Sequence, residues 1–403
     1  MMRWLFIFIL TLKLTPVIAA WEFGEKLSVS PHHGDKIFHH LDSAGRKNIA
    51  VAGNSVTVVW EDNHTGVSQV YISMKPDGAS SFGTPQQVST GKSAYGPVIA
   101  SRKNNQFLIA WEQDEAIWMR NVSQNGLGKP LRVSSGPGRQ PTLIELNSRE
   151  AVVAWAAQQE SYTQILIAIV QLSIDGTPHK VGKAFPLDTS PLEADQLYPS
   201  LTKTERGVTV VWEDRRGGHT KLLYSHARAG AWFTTPQGLN EVVQKSTKYG
   251  RGSGVTRAAA TSYGKEGIAV TWMDKRGFRT GYDIYAGISR DGGNSFGSNE
   301  QVQDSFGENI TQWNPSIAGN SQGDLAVVWD DDRDETSDVW LSWRTADGWS
   351  EDVAITGAAS GSHEVSPALA LDVQRNLHVV WIEKQTEFGP TRLHYCRAKY
   401  VEE

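Results

Sequence analysis

The chain has 403 residues, a formal net charge of −5 and one cysteine, Cys396. A single cysteine excludes an intrachain disulfide scaffold, so the fold must hold by its core alone. Mild acidity with scattered charges argues against nucleic acid, or an anionic membrane surface, as the main partner.

The first twenty residues read as a secretory signal peptide. Arg3 supplies the positive start, Trp4 to Leu12 form a short apolar run, and Val17-Ile18-Ala19 suits a cleavage site. The run is too short to span a bilayer and is broken by Lys13. Loss of Arg3 and Lys13 takes the charge from −5 to −7. A bacterial periplasmic or extracellular location follows as the expectation, with no membrane span in the mature chain and a monomer as the expected state. Residues 21–403 are expected to form one domain.

Next comes His32-His33-Gly34-Asp35-Lys36-Ile37-Phe38-His39-His40. His32, His33, His39 and His40 carry donors that a transition metal takes. Adjacent histidines do not match a zinc spacing, so a solvated link is the competing reading. No metal and no cofactor is expected.

From residue 58 onward an apolar tripeptide ending in Trp recurs seven times, at Trp60, Trp111, Trp155, Trp212, Trp272, Trp329 and Trp381. The steps between them are 51, 44, 57, 60, 57 and 52 residues, close to the period of propeller blades. Each unit has one internal order. A strand often opened by Pro comes first, as in Gly96-Pro97, Tyr198-Pro199, Asn314-Pro315 and Ser366-Pro367. After a polar turn comes the strand ending in Trp, and after an acidic loop a third, alternating strand. A short fourth strand, such as 82–89 or 296–302, closes the unit. The seventh unit stops after its third strand, at Tyr400. The segment 21–30 resembles the missing fourth strand and is expected to complete that blade. The expected fold is therefore all-β: a seven-bladed β-propeller of four-stranded antiparallel blades, closed by the N-terminal strand. Closure removes the open edge. The repeated Trp is read as blade packing rather than as a sugar platform.

Ser289-Arg290-Asp291-Gly292-Gly293-Asn294-Ser295-Phe296 resembles the Asp-box, the Ser-x-Asp-x-Gly-x-Thr-Phe/Trp turn of sialidase-like propellers. Lys75 to Phe82 resembles a degenerate copy. The resemblance covers the mature chain as architecture and implies carbohydrate chemistry. Sialidases of this kind have six blades against the seven counted here. Their Arg-Ile-Pro motif is absent, and their Tyr nucleophile and Glu partner have no matching positions.

Candidate site residues cluster after the Trp strands of units four to six: Asp214, Arg215, Arg216, Asp274, Arg276, Asp332 and Arg333. The competing reading is a turn-stabilising Asp–Arg pair. Arg forks suit carboxylates and sulfates. The long links into units five and six add Tyr249, Arg251 and Trp313. Asp214 with Asp274 is a candidate carboxylate pair for hydrolysis, and Tyr249 with Arg251 a candidate base and cation for a lyase. The leading expectation is an exported protein that binds a glycan or acidic polysaccharide on one face, without sialidase catalysis. A carbohydrate-active enzyme (a sialidase-like glycoside hydrolase or a polysaccharide lyase) and a scaffold for an envelope protein partner are the alternatives.

Overall fold

The computed structural model describes residues 20–31, 34, 36–190, 193–216, 218–241, 254–276, 281–304, 310–334, 336–356 and 361–401. These form seven antiparallel sheets around an axis, each a blade of a β-propeller. Strands are named a to d outward from the axis. The innermost strands are Ile49–Ala52, Ala94–Arg102, Gly138–Asn147, Gln196–Thr204, Val255–Tyr263, Gln312–Gly319 and His363–Leu371. Each Trp-bearing segment is strand b, β-branched and buried on both faces, as a strand packed between neighbouring blades must be.

The seven repeated tryptophans are all at most 2 % exposed. Trp155 packs with residues of blades two and three, and Trp329 with residues of blades five and six. Each belongs to the blade-to-blade core and none presents a face to a ligand. Strand d is shorter than the sequence suggests: Gln86–Gln87 replaces 82–89, and Glu300–Gln301 replaces 296–302. Single backbone bonds such as Gly83 N to the Met74 carbonyl (2.9 Å) carry the rest of that edge, where a strand has a partner on one side only.

The ring closes as the sequence suggests. Ala20–Phe23 and Leu27–Ser28 pair antiparallel with Thr391–Val401, placing Trp21 opposite Tyr400 and Leu27 opposite Tyr395. Trp21 sits edge-on to Tyr400 at 5.2 Å and to Trp343 of blade six at 6.3 Å. Lys26 bonds Glu383 at 2.7 Å. The buried Cys396 thiol donates to the Gly24 carbonyl at 3.3 Å and is pushed up to about 11 by burial.

The a–b and c–d turns lie on one face, called lower here; the b–c turns and the links between blades lie on the upper face. The Asp-box-like segment 289–296 is the c–d turn of blade five. Asp291 accepts from Ser289 Oγ (2.8 Å), Ser295 N (3.0 Å) and Ser295 Oγ (2.7 Å). Burial raises its carboxyl, but these bonds outweigh it and hold it at about 2. Phe296 tucks edge-on against Tyr224 of blade four at 4.7 Å. Among the described residues no helix is long and apolar enough to cross a membrane.

Deleting residues 21–30 removes the outer strand of blade seven and re-creates an open edge. The truncated chain is expected to lose its single cooperative transition and to melt more than 10 °C below the 21–403 chain (roughly 3 kcal/mol or more at about 2–4 °C per kcal/mol), read by circular dichroism.

Candidate functional site

Six inner strands enter the ring through the same irregularity. Register slips between Tyr95 and Val98, Arg139 and Thr142, Leu197 and Ser200, Thr256 and Ala259, and Trp313 and Ser316; blade seven repeats it between Val365 and Ala368. The bulged residue is left-handed each time: Gly96, Gln140, Tyr198, Arg257, Asn314 and Ser366, with φ from 49° to 61°. Such a conformation costs a non-glycine residue on the order of 1 kcal/mol and persists only if the surroundings impose it. At four of the six a carboxylate directly after the Trp of the preceding blade does so. Glu112 accepts from Gln140 N (2.7 Å), Glu213 from Arg257 N (2.7 Å) and Asp330 from Ser366 N (2.9 Å), with a longer contact from Gly96 N to Glu61 (3.4 Å). Blade three has Ala156 at this position, and Tyr198 N turns to the Gln140 side-chain oxygen instead (2.8 Å). Burial raises the carboxyls of Glu61, Glu112 and Glu213, and that of Asp330 to about 6.

The segment before strand a of blade one fills the centre of this ring. Its short 3-10 turn, Ala44–Arg46, touches the inner strands of blades two to six. Gly45 packs so close to Ser200 that a Cβ would meet its Oγ at 2.6 Å. Arg46 donates to Asn314 Oδ1 and to the Leu41 carbonyl, and Lys47 to the Leu201 carbonyl. Burial lowers Arg46 to about 10 and Lys47 to about 8. The channel is therefore capped from the upper face, and a cavity of about 410 Å³ lies beneath the cap. The upper-face ends of the inner strands around this cap are called the bowl here. Arg257 makes a forked pair with Asp42 (2.7 and 3.2 Å) and lies over the Tyr198 ring at 4.3 Å. Tyr95 is 44 % exposed, and Trp313, 42 % exposed, stands 5.3 Å from Tyr282.

The expected Asp–Arg cluster lies outside this bowl, toward the outer strands of the blades. Asp274 and Asp331 accept from the indoles of Trp272 (2.9 Å) and Trp329 (3.0 Å), two residues back. Arg216 pairs with Asp214 (2.6 Å) and Asp188, Arg276 with Asp274 (2.7 Å), and Arg333 with Asp331 (2.6 Å) and Asp352 (2.9 Å). The Asp214 bond holds the Arg216 guanidinium above its usual value. Asp214 and Asp274 are at most 2 % exposed, and Arg276 stacks on Tyr285 at 3.8 Å. Arg276 and Arg333 are engaged within their own blades, and Arg216 bridges Asp214 of its own blade to Asp188 of blade three. Arg215 and Asp332 are exposed. Of the expected ligand contacts, only Trp313 stands at the bowl. Tyr249 and Arg251 lie outside the described residues, as do His32 and His33.

His39 is buried, and both ring nitrogens have partners at 2.9 Å: Nε2 faces Ser30 Oγ and Nδ1 faces Thr391 Oγ1. His40 is exposed opposite Glu61 in the strand pairing. Among the described residues no three His, Cys, Asp or Glu side chains gather as a metal site.

The sequence reading passed over Asp42, Tyr198, Arg257 and the carboxylates after Trp. A signal existed. Tyr198-Pro199, Asn314-Pro315 and Ser366-Pro367 mark the bulge, and Arg257-Ala258 is its variant without proline.

No family model matches the sequence, and no curated protein matches it. Solved structures match its fold. An ulvan lyase of polysaccharide lyase family PL25 superposes with a TM-score of 0.61 at 7% identity, covering 92% of this chain and 95% of its own. The polysaccharide lyase Uly1 gives 0.56 at 8% identity, covering 88% and 89%. The α-L-arabinanase of Penicillium chrysogenum gives 0.49 at 13% identity, covering 93% and 98%. The two lyase matches show a shared fold, and none of these three structures is a sialidase.

Two predictions follow from the electrostatics. Asp274→Ala leaves Arg276 and the Trp272 indole without their shared acceptor and is expected to cost about 3–5 kcal/mol. Arg215→Ala, on the exposed side of the same sector, should stay within about 0.5 kcal/mol; urea titration separates the two. Glu364 is buried beside Asp338 and Glu383 and is raised to about 7, by burial first and those charges after it. A raised carboxyl binds its proton more tightly when folded, so stability falls as pH rises from about 4.5 to 7. Glu364→Gln should therefore raise stability at pH 8 by about 1–2 kcal/mol after allowance for solvent screening, with no gain at pH 4, read as the difference in Tm.

Proposed function

We propose that the protein is an exported carbohydrate-active enzyme that cleaves an acidic, uronate-bearing polysaccharide by β-elimination in the upper bowl. The observation that carries the reading is the Arg257–Tyr198 pair, held by left-handed bulges and facing Asp42. Asp42 already shows that Arg257 takes a carboxylate in a two-pronged grip. A uronate carboxylate in the same grip has its negative charge offset, which acidifies the hydrogen on the neighbouring ring carbon. The Tyr198 ring lies against Arg257, which makes its hydroxyl the candidate for proton transfer. The ring C–H bond breaks, its electrons form a C=C bond, and the glycosidic C–O bond breaks as its oxygen takes up a proton. Tyr95 and Trp313 offer apolar faces for sugar rings.

The polysaccharide lyases that share this fold, at TM-scores of 0.61 and 0.56 and 7–8% identity, make a carbohydrate-active reading the one to test before a non-catalytic binder. Hydrolysis is the second reading, favoured by the raised carboxyls of Glu112, Glu213 and Asp330. Those groups also hold the bulge amides. Export rests on the first twenty residues. We take the enzyme as a monomer that needs no cofactor.

The test is to incubate residues 21–403 with a panel of uronate polysaccharides, ulvan among them. Elimination yields new reducing ends together with the ultraviolet absorbance of an unsaturated uronate; hydrolysis yields the ends alone; a binder yields neither and is retained on the polymer. Tyr198→Phe is expected to lower kcat at least 100-fold with Tm unchanged, and Arg257→Ala to lower kcat/KM by a similar factor. Asp42→Asn, which frees Arg257, should lower KM. Reducing ends without absorbance, or a Tyr198→Phe enzyme of full activity, would overturn the elimination.

A further inference from the structure

The lower face carries a second concavity, remote from the bowl and independent of its function. It is a groove of about 940 Å³ between blades three and four, at the upper end of the size expected for a small-molecule site. Its walls are hydrocarbon: Ile167 and Ile169 from strand c of blade three, Phe185 from strand d, Val208 from strand b of blade four, and Trp232 with Phe233. The c–d turn of blade four makes this groove unusual. The equivalent turns of blades one, three, five and six carry Asp77, Asp175, Asp291 and Asp347. Blade four has Ala229-Gly230-Ala231-Trp232-Phe233 instead, and Trp232 is 78 % exposed with its ring edge-on to Phe185 at 5.2 Å. Ala229 stands where blade five has Asp291, and the exposed Trp232 beside a mainly apolar groove marks a binding surface.

The charges around the groove have one predominant sign. Lys203, Arg228 and Lys265 line it against a single carboxylate, Glu205. Lys203 is half-buried, donates to the Leu146 carbonyl at 2.9 Å, and is lowered by desolvation; a bound anion would offset that loss of hydration. Asn147, Thr204, Ser262 and Ser321 also line the groove, but the larger part of its surface is hydrocarbon, which suits an acyl chain better than a glycan. A flat anionic bilayer is also poor, because the neighbouring Asp-bearing turns on the same face would repel it.

We propose that this groove binds a free single-chain amphiphile with an anionic head, a long-chain fatty acid, with the chain along Ile167, Ile169, Phe185 and Trp232 and the carboxylate among Lys203, Arg228 and Lys265.

Calorimetric titration of residues 21–403 with monomeric oleate tests the assignment. Saturable one-to-one binding is expected, at least tenfold tighter than oleyl alcohol, with no heat from acetate. Lys265→Glu combined with Arg228→Glu should weaken oleate at least tenfold and leave the alcohol unchanged. Trp232→Ser and Ile169→Asp, both at exposed positions, should weaken oleate and alcohol alike, and all variants should keep the parent Tm. The proposal is overturned if oleate gives no saturable binding, if the charge and wall variants bind it as the parent does, or if the chain binds only vesicles of phosphatidylglycerol.

Discussion

A propeller exists only as a closed ring, and here closure depends on pairing the two ends of the chain. Ala20–Phe23 and Leu27–Ser28 lie against Thr391–Val401, so the last blade takes its outer strand from the start of the sequence. Without that pairing, blade seven would leave unpaired backbone groups along a whole strand. Blades one and seven would also lose their shared core, where Val29, Trp60 and Tyr71 pack with Ala368, Val380 and Tyr395. Everything on the upper face depends on this. Tyr198 belongs to blade four, Arg257 to blade five, and Asp42 to the segment ahead of blade one; they meet because the ring brings them round to one axis.

Within the closed ring, two adjacent positions divide the work in most blades. A carboxylate directly after Trp holds the bulged backbone of the next blade, as Glu112, Glu213 and Asp330 do, and in blades five and six Asp274 and Asp331 hold both the Trp indole and the outer arginine. The first role creates the bowl. A left-handed residue with a buried amide needs an acceptor, and Glu112, Glu213 and Asp330 supply one at the cost of their own hydration. The second role stiffens the rim. The dense Asp–Arg sector of blades four to six, which looks like a binding patch when read along the chain, is a set of short ion pairs within blades, with Arg216 also reaching Asp188 of blade three.

The two faces differ in the chemistry they offer. The upper face sets carboxylates, arginines and aromatic rings around the Ala44–Arg46 cap. The lower face is largely tight polar turns, interrupted at blade four by an apolar turn and a groove. A polymer of sugars and a hydrocarbon chain would find separate places, with the length of the blades between them.

The amino-acid sequence by itself determined the architecture. A Trp recurring every 44 to 60 residues, strands in fours, a seventh unit without its fourth strand and a matching segment at the start allow one ring. These are local and periodic features, written next to each other in the chain. The Asp-box turn at 289–296 was legible for the same reason, since its bonds stay within eight residues. The site was not legible in this way. Asp42 and Arg257 are 215 residues apart, and Glu213 meets Arg257 only across a blade boundary. Only the tertiary structure decided that Arg216, Arg276 and Arg333 are engaged at the rim while Arg257 faces the bowl. A side chain's role follows from which blade it meets, and a repeat carries the order of its strands but not the contacts between them.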